Sequence, residues 1–334
     1  LQALKAEIAR ARNEGPRSML FLDPPDHTRV RSLVNRAFTP RRIEELRTSI
    51  QALSRECVDQ LAEAGGGDAI ELLGWLPVNV IGELVGVPRA DWAWFRPKVS
   101  ASAASLEPGA GLEELKAARA AYEEMWLYFV DLVDQRRSAP AHDLISALIE
   151  VEEEGERLTT PELISTVILL FSAGMETTQN LIGNGLGALF QNPEEHQRLW
   201  RSPELVPSAV EEMLRWDSPV QVDGRTALQD VEIAGVPVTT GTTVMTLLGA
   251  ANRDPAQFSK PDEFIIDRDE GPALSFASGI HYCLGANLAR AEGQELFDSL
   301  ITRFIRIEQA GPLEPRGRIT LRGYLSVPVA VTTR

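Results

Sequence analysis

Near the C-terminal end of the 334-residue chain, Phe276-Ala277-Ser278-Gly279-Ile280-His281-Tyr282-Cys283-Leu284-Gly285 places a thiol just ahead of Ala286-Asn287-Leu288-Ala289-Arg290, which reads as helix. Unpaired N–H groups and the positive end of a helix dipole lower a thiol pKa, so Cys283 is expected as thiolate, the form that binds a metal. Gly279 and Gly285 permit backbone conformations and close approaches that a Cβ would block, and Phe276 could cover the sulfur. A lone cysteine in a turn is otherwise a packed small hydrophobe, the reading given to Cys57 in its helical stretch. Zinc is a poor alternative, because no second Cys lies at ligand spacing and the chain has 4 His.

A second constellation is Ala173-Gly174-Met175-Glu176-Thr177-Thr178, inside a long helical pattern. Gly and β-branched Thr lower helix propensity, and such a local conflict points to function or to a simple kink. Small residues at Ala173 and Gly174 leave a groove, the Thr177 hydroxyl can bend back toward a freed carbonyl, and Glu176 with Thr177 supplies an acid and an alcohol for proton delivery. A third is Glu212 and Arg215, three apart and able to pair on one helix face.

The loop pattern F-x-x-G-x-H-x-C-x-G resembles the haem-thiolate loop of the cytochrome P-450 monooxygenases. Ala173 to Thr177 is similar to that family's A/G-G-x-D/E-T signature, and Glu212 with Arg215 to its E-x-x-R pair, which organises the core beside the cysteine. The resemblance runs from about Asp23 to Val329. It implies a mainly α cytochrome P-450 fold, haem b with Cys283 as axial ligand, and Ala173, Phe276, Gly279 and Gly285 beside the cofactor. It implies propionate contacts from His27, Arg31, Arg225 and His281, and proton delivery by Glu176 and Thr177. Where the family has Pro-x-Arg-Phe this chain has Pro261-Asp262-Glu263-Phe264, so Arg268 is the candidate third member of the Glu212/Arg215 network.

The activity implied is insertion of one atom of O2 into a lipophilic small molecule, by hydroxylation or epoxidation. No flavin or nicotinamide fingerprint is present, and Gly183-Asn184-Gly185-Leu186-Gly187 lies in a helix rather than after a strand. Electrons must then come from a ferredoxin or flavodoxin-type donor with its reductase, docked on a local basic face of Arg29, Arg36, Arg41, Arg42 and Arg290. By position, Leu169, Ser172, Ala173, Gln221, Val222 and Leu325 could line the substrate cavity, with residues 95–111 as a mobile lid. A peroxide-driven peroxygenase and a haem gas sensor are the alternatives; the acid–alcohol pair speaks against the first, and a lack of any signalling domain against the second.

The elements that position these residues follow from periodicity. Apolar residues recur at three and four spacing over 43–61, 112–133 and 163–190, and Thr159-Thr160-Pro161-Glu162 marks the start of the longest helix. Breaks fall at Gly65-Gly66-Gly67, at 107–111 and in the acidic stretch 152–155, and residues 1–10 look like amphipathic helix. Short β-prone runs follow at 231–233, 236–238, 242–247, 319–321 and 324–331. A single domain over 1–334 with a minor β region is expected, starting downstream of where the family's first helix and outer strands would lie.

Composition limits the alternatives. With 33 Lys plus Arg against 48 Asp plus Glu, the formal net charge is −15, which disfavours nucleic acid. The two cysteines lie too far apart in sequence to suggest a disulfide framework, so a cytoplasmic location is expected. The apolar run 163–175 is too short for a membrane span, and a monomer is expected.

Overall fold

The computed structural model describes residues 18–151 and 155–334. The helix expected over 1–10 and residues 152–154 of the acidic stretch lie outside the described residues. Helix forms where the apolar spacing runs. The first half carries α1 (Asp26–Ala37), α2 (Pro40–Glu63), the short α3 (Ala69–Leu72), α4 (Trp75–Val85), α5 (Trp92–Ala103), α6 (Leu112–Ser138) and α7 (Leu144–Glu150). After these come α8 (Thr160–Gln191), α9 (Pro193–Arg201), α10 (Val206–Trp216), the short α11 (Leu248–Ala251) and α12 (Ala286–Arg303).

The start of α8 is the capping box read in the sequence: Thr159 Oγ1 accepts from the Glu162 N–H, and Glu162 Oε2 accepts from the Thr159 N–H at 2.8 Å. Glu162 also takes the Arg29 guanidinium, which ties α1 to this end of α8. From there α8 runs through the core against α4, α6, α10 and α12, buried over most of its length. Its glycine run lies within the helix, as expected. A Cβ on Gly185 would meet Met213 Sδ and Phe297 Cζ, each at 2.8 Å, so the absent side chain is what lets α10 and α12 approach.

The β structure is small. β9 (Pro328–Thr333) lies between β1 (Gly66–Asp68) and β6 (Phe304–Gln309), all antiparallel. Three two-stranded pieces add β2 (Val222–Thr226) with β5 (Thr243–Leu247), β3 (Val231–Ile233) with β4 (Val236–Val238), and β7 (Glu314–Pro315) with β8 (Tyr324–Ser326). The runs at 231–233 and 236–238 form as expected. The run at 319–321 does not: Leu321 makes only an isolated bridge to Val220, and 324–331 divides between β8 and β9, which have different partners. Gly65-Gly66-Gly67 ends α2, as read, and then also enters the sheet, because a Cβ on Gly66 would meet the Val329 carbonyl at 2.4 Å.

Cys57 is buried in α2, and burial pushes its thiol up to about 12, in keeping with a packed core residue. No helix among the described residues is long and apolar enough to cross a membrane.

Glu212 and Arg215 on α10 form a fully buried pair, with Arg215 Nε 2.7 Å from Glu212 Oε2. Arg215 also donates to the carbonyls of Asn252 at 2.8 Å, Pro261 at 2.9 Å and Glu263 at 3.0 Å. Arg268 is the third member: its Nε lies 3.1 Å from Glu212 Oε2, and it donates to the Glu263 carbonyl at 2.9 Å. Position 263 thus takes part through its backbone, while its side chain faces Lys260. Glu212→Ala leaves the buried Arg215 without its carboxylate and Arg268 with Glu270 alone, and is expected to cost about 3–5 kcal/mol, read as a lowered denaturation midpoint. Gly185→Ala should cost about 1–3 kcal/mol by overpacking α8 against α10 and α12, measured the same way.

Candidate active site

The cysteine loop is fastened before it begins. Leu274 N–H donates to Asn252 Oδ1 at 2.7 Å, Asn252 Nδ2 to Ser218 Oγ at 2.8 Å, and Ser275 Oγ to the Leu214 carbonyl at 2.8 Å. Ser218, Asn252 and Ser275 are buried, and no spacing pattern in the sequence reveals them. The loop then closes on itself through Cys283 N–H to the Phe276 carbonyl at 3.0 Å. Gly279 has φ +73°, in the left-handed region where a side chain is strained. Gly285 has no such conformation, and a Cβ on either glycine would meet nothing within 4 Å among the described residues, so the face of the loop beside them is open to them. Phe276 lies under the Arg290 guanidinium, 4.5 Å from its ring centroid.

One expectation is corrected. Burial pushes the Cys283 thiol up, and the Gly285 N–H, Arg31 and Arg290 only partly offset this. Cys283 lies ahead of α12 and outside its first turn, where a dipole effect has already weakened. A bound metal would favour the thiolate more than the helix does.

Three elements bring the expected cationic groups together at this loop. The His27 and His281 rings are 4.3 Å apart between centroids, and Arg31 Nη2 donates to the Tyr282 carbonyl at 2.8 Å. Arg225 on β2 is paired with Asp223 and acts electrostatically on His281. Burial lowers the pKa of both histidines, and neighbouring cationic groups add to the effect. His27 is 2% exposed, and its Nε2 has no hydrogen-bond partner among the described residues.

Along the buried α8, Leu169, Ala173 and Thr177 break the burial at intervals of four, which places them on one open stripe. Thr177 Oγ1 donates to the Ala173 carbonyl at 2.7 Å, the back-bond expected from the sequence. Ser172, beside the stripe, has a buried hydroxyl without a partner among the described residues. Glu176 is not a free acid. Its Oε1 lies 2.8 Å from Arg316 Nη1 and 2.7 Å from Arg318 Nη1, while Oε2 is buried without a partner among the described residues. Burial pushes this carboxyl up, and the two guanidinium groups pull it back. The motif gives no sign of Arg316 and Arg318; the only signal is a basic pair around Gly317 in an acidic chain.

The remaining expected positions separate. Val222 starts β2, and Gln221 donates from Nε2 to the Ser218 carbonyl at 2.8 Å. Leu325 is an exposed residue of β8, paired with β7, whereas Leu321 reaches the start of β2 through its bridge to Val220. Leu325 is thus set apart from Val222, and Leu321 is the residue that lies beside the segment leading into β2. Phe95 is fully buried against Phe129 and Phe171, so the lid expected over 95–111 shortens to the turn after α5. The expected basic face is largely neutralised, since Arg29 pairs with Glu162, Arg41 with Glu45 and Arg290 with Glu211.

These features fit a haem. The unpartnered His27 Nε2, the converging Arg31, Arg225 and His281, and the open glycine face of the loop suit a flat ring with two carboxylates. Comparison with known proteins agrees. The cytochrome P450 family model matches residues 102–201 and 203–315. The chain is 40% identical to the polyketide biosynthesis cytochrome P450 PksS of Bacillus subtilis, over 94% of this chain and 78% of that protein. It is 39% identical to cytochrome P450 CYP107DY1 of Priestia megaterium, over 93% and 76%. Among solved structures, P450BioI in complex with hexadec-9Z-enoic acid ligated acyl carrier protein superposes with TM-score 0.90 and 35% identity, over 97% of this chain and 84% of that one. On its fold, its cysteine loop and these relatives, the chain belongs to the cytochrome P450 family, monooxygenases that carry haem b on a cysteine thiolate.

Proposed function

We propose that this chain, acting over 1–334 as one monomeric unit, inserts one oxygen atom from O2 into a lipophilic small molecule by hydroxylation or epoxidation. Bound haem supplies oxygen activation, and donation from its thiolate favours O–O cleavage. The protein's part is to hold, exclude and deliver. Cys283 is the ligand, and the Gly285 N–H together with Arg31 and Arg290 favours its charged form. His27, Arg31, Arg225 and His281 receive the two propionates, and Phe276 screens the sulfur from water. Gly279 and Gly285 keep side chains off the face on which the ring rests.

The observation that carries the monooxygenase reading is the acid–alcohol pair on α8. Thr177 holds its hydroxyl on the Ala173 carbonyl along the open stripe, where it can pass a proton, and Glu176 sits one residue away as the buried acid behind it. Leu169, Ser172, Ala173, Gln221, Val222 and, from the structure, Leu321 would contact the substrate. The apolar stripe suits a mid-sized lipophilic molecule of polyketide, fatty-acyl or steroid type. The relatives support that range: one is named for polyketide biosynthesis, one was solved with a hexadecenoyl carrier protein, and CYP109E1 was solved with testosterone. Electrons come from a ferredoxin or flavodoxin-type donor with its reductase, in the cytoplasm.

The reduced, CO-bound protein should show a strongly red-shifted Soret band that Cys283→Ala abolishes; a histidine-type spectrum would sink the assignment. Thr177→Ala is expected to lower product formed per electron consumed by about 10²-fold or less, with the cofactor still bound. Full turnover with hydrogen peroxide and no electron donor would point instead to a peroxygenase.

A further inference from the structure

On α1, His27 and Arg31 face the cysteine loop, and Arg29 stands between them in sequence. Two positions along a helix is a rotation of about 200°, so Arg29 leaves α1 on the other side. There it meets the start of α8. Arg29 Nη2 donates to Glu162 Oε1, and Arg29 Nη1 lies 3.8 Å from Glu156 Oε2. Glu162 is at the same time the carboxylate of the α8 capping box, with Oε2 accepting the Thr159 N–H at 2.8 Å and the Thr159 hydroxyl at 2.9 Å. Burial opposes charge on this carboxyl, yet the two Thr159 donors and Arg29 together hold it below the ordinary carboxylate range. A carboxylate oriented by its own helix is thus the fixed point to which α1 is tied.

α1 needs such a point. It begins at Pro25 without a side-chain cap, and its buried Val30, Leu33 and Val34 make apolar contacts that set its depth. Those contacts are non-directional, so they define rotation about the helix axis only loosely. Hydrogen bonds from a guanidinium are directional, and two of them act on α1 from opposite sides. One is Arg29 to Glu162; the other is Arg31 Nη2 to the Tyr282 carbonyl at 2.8 Å. Arg31 is also a side chain that propionates would claim, which leaves Arg29–Glu162 as the tie that cofactor binding does not disturb.

We propose that Glu162 and Arg29 are positioning residues for the cofactor: the cap of α8 fixes the rotation of α1, and through it the places of His27 and Arg31 against the cysteine loop. His27 is the more sensitive of the two. Its Nε2 is buried without a partner among the described residues and its ring lies 4.3 Å from that of His281, so a small rotation of α1 redirects this nitrogen. The tie is partly exposed, Arg29 by 29% and Glu162 by 24%, so its effect is modest. This inference rests on the reading of His27 and Arg31 as propionate contacts.

The test separates the cap from the tie in the haem-loaded protein. Thr159→Ala removes the hydroxyl of the cap and leaves Glu162 Oε1 on Arg29, Arg29→Gln removes the ion pair and leaves the cap, and Glu162→Gln weakens both. Release of haem to an excess of a haem-scavenging apoglobin should accelerate about threefold to fivefold in Arg29→Gln and in Glu162→Gln. It should match the wild type in Thr159→Ala, although the thermal midpoint of that form falls too. The resonance Raman bands of the propionates should shift in the first two forms and not in Thr159→Ala, a readout that a general loss of stability does not move. The doubly substituted Arg29→Gln/Glu162→Gln form should release haem no faster than the faster single form. Release that simply tracks the thermal midpoint across the forms, or additive acceleration in the double form, overturns the proposal. Arg31→Gln tests the reading beneath it. Shifted propionate bands in Arg31→Gln with none in Arg29→Gln overturn the tie alone, whereas unshifted bands in Arg31→Gln remove the propionate reading and the proposal with it.

Discussion

Arg215 is the constraint on which the site depends. A guanidinium has five N–H donors, and here they go to both oxygens of Glu212 and to the carbonyls of Asn252, Pro261 and Glu263. A buried cation is tolerated only when its donors and its charge are both satisfied, so an irregular stretch of chain is forced to bring its carbonyls to α10. Arg268 extends the arrangement by returning to Glu212 from the far side of that stretch. The Asn252 residue whose carbonyl serves Arg215 uses its side chain to hold Leu274 and Ser218. From there the cysteine loop begins.

The loop itself is electrostatically reluctant. Burial disfavours the thiolate of Cys283, and burial with the neighbouring arginines holds His27 and His281 toward their neutral forms. Both strains have the same remedy: a metal for the sulfur and a dianion for the cations. Haem would bring the two together, so these residues fit the cofactor that the family carries. On α8, in contrast, the buried Glu176 carboxyl is already matched to Arg316 and Arg318.

Much of this was legible in the chain. The start of α8 followed from Thr159 and Glu162, whose mutual bonds need no tertiary partner. The Thr177 back-bond to Ala173 is likewise local to one helical turn, and so is the Glu212–Arg215 pair. Arg268 could be nominated because this chain has Glu263 where the family that it resembles has Arg. Strands were less legible: Leu321 carries a β-prone pattern but makes a single bridge, while Gly66 pairs with β9 despite a sequence that reads only as a break. Pairing depends on what lies alongside, and a strand of three residues has too little periodicity to declare itself.

The sequence by itself determined the local arrangement: which thiol stands just ahead of α12, which helix carries Glu176 and Thr177, and which residues cap and pair within a turn. These depend on spacing of three or four residues and on backbone geometry common to every helix. Only the tertiary structure decided the partners of those groups. Glu176 meets guanidinium groups 140 and 142 positions away, Glu107 gathers N–H groups more than 200 positions away, and Ser218, Asn252 and Ser275 converge from three segments. Contacts of that range leave no periodic trace, because the chain between them is free to vary as long as it returns to the same place.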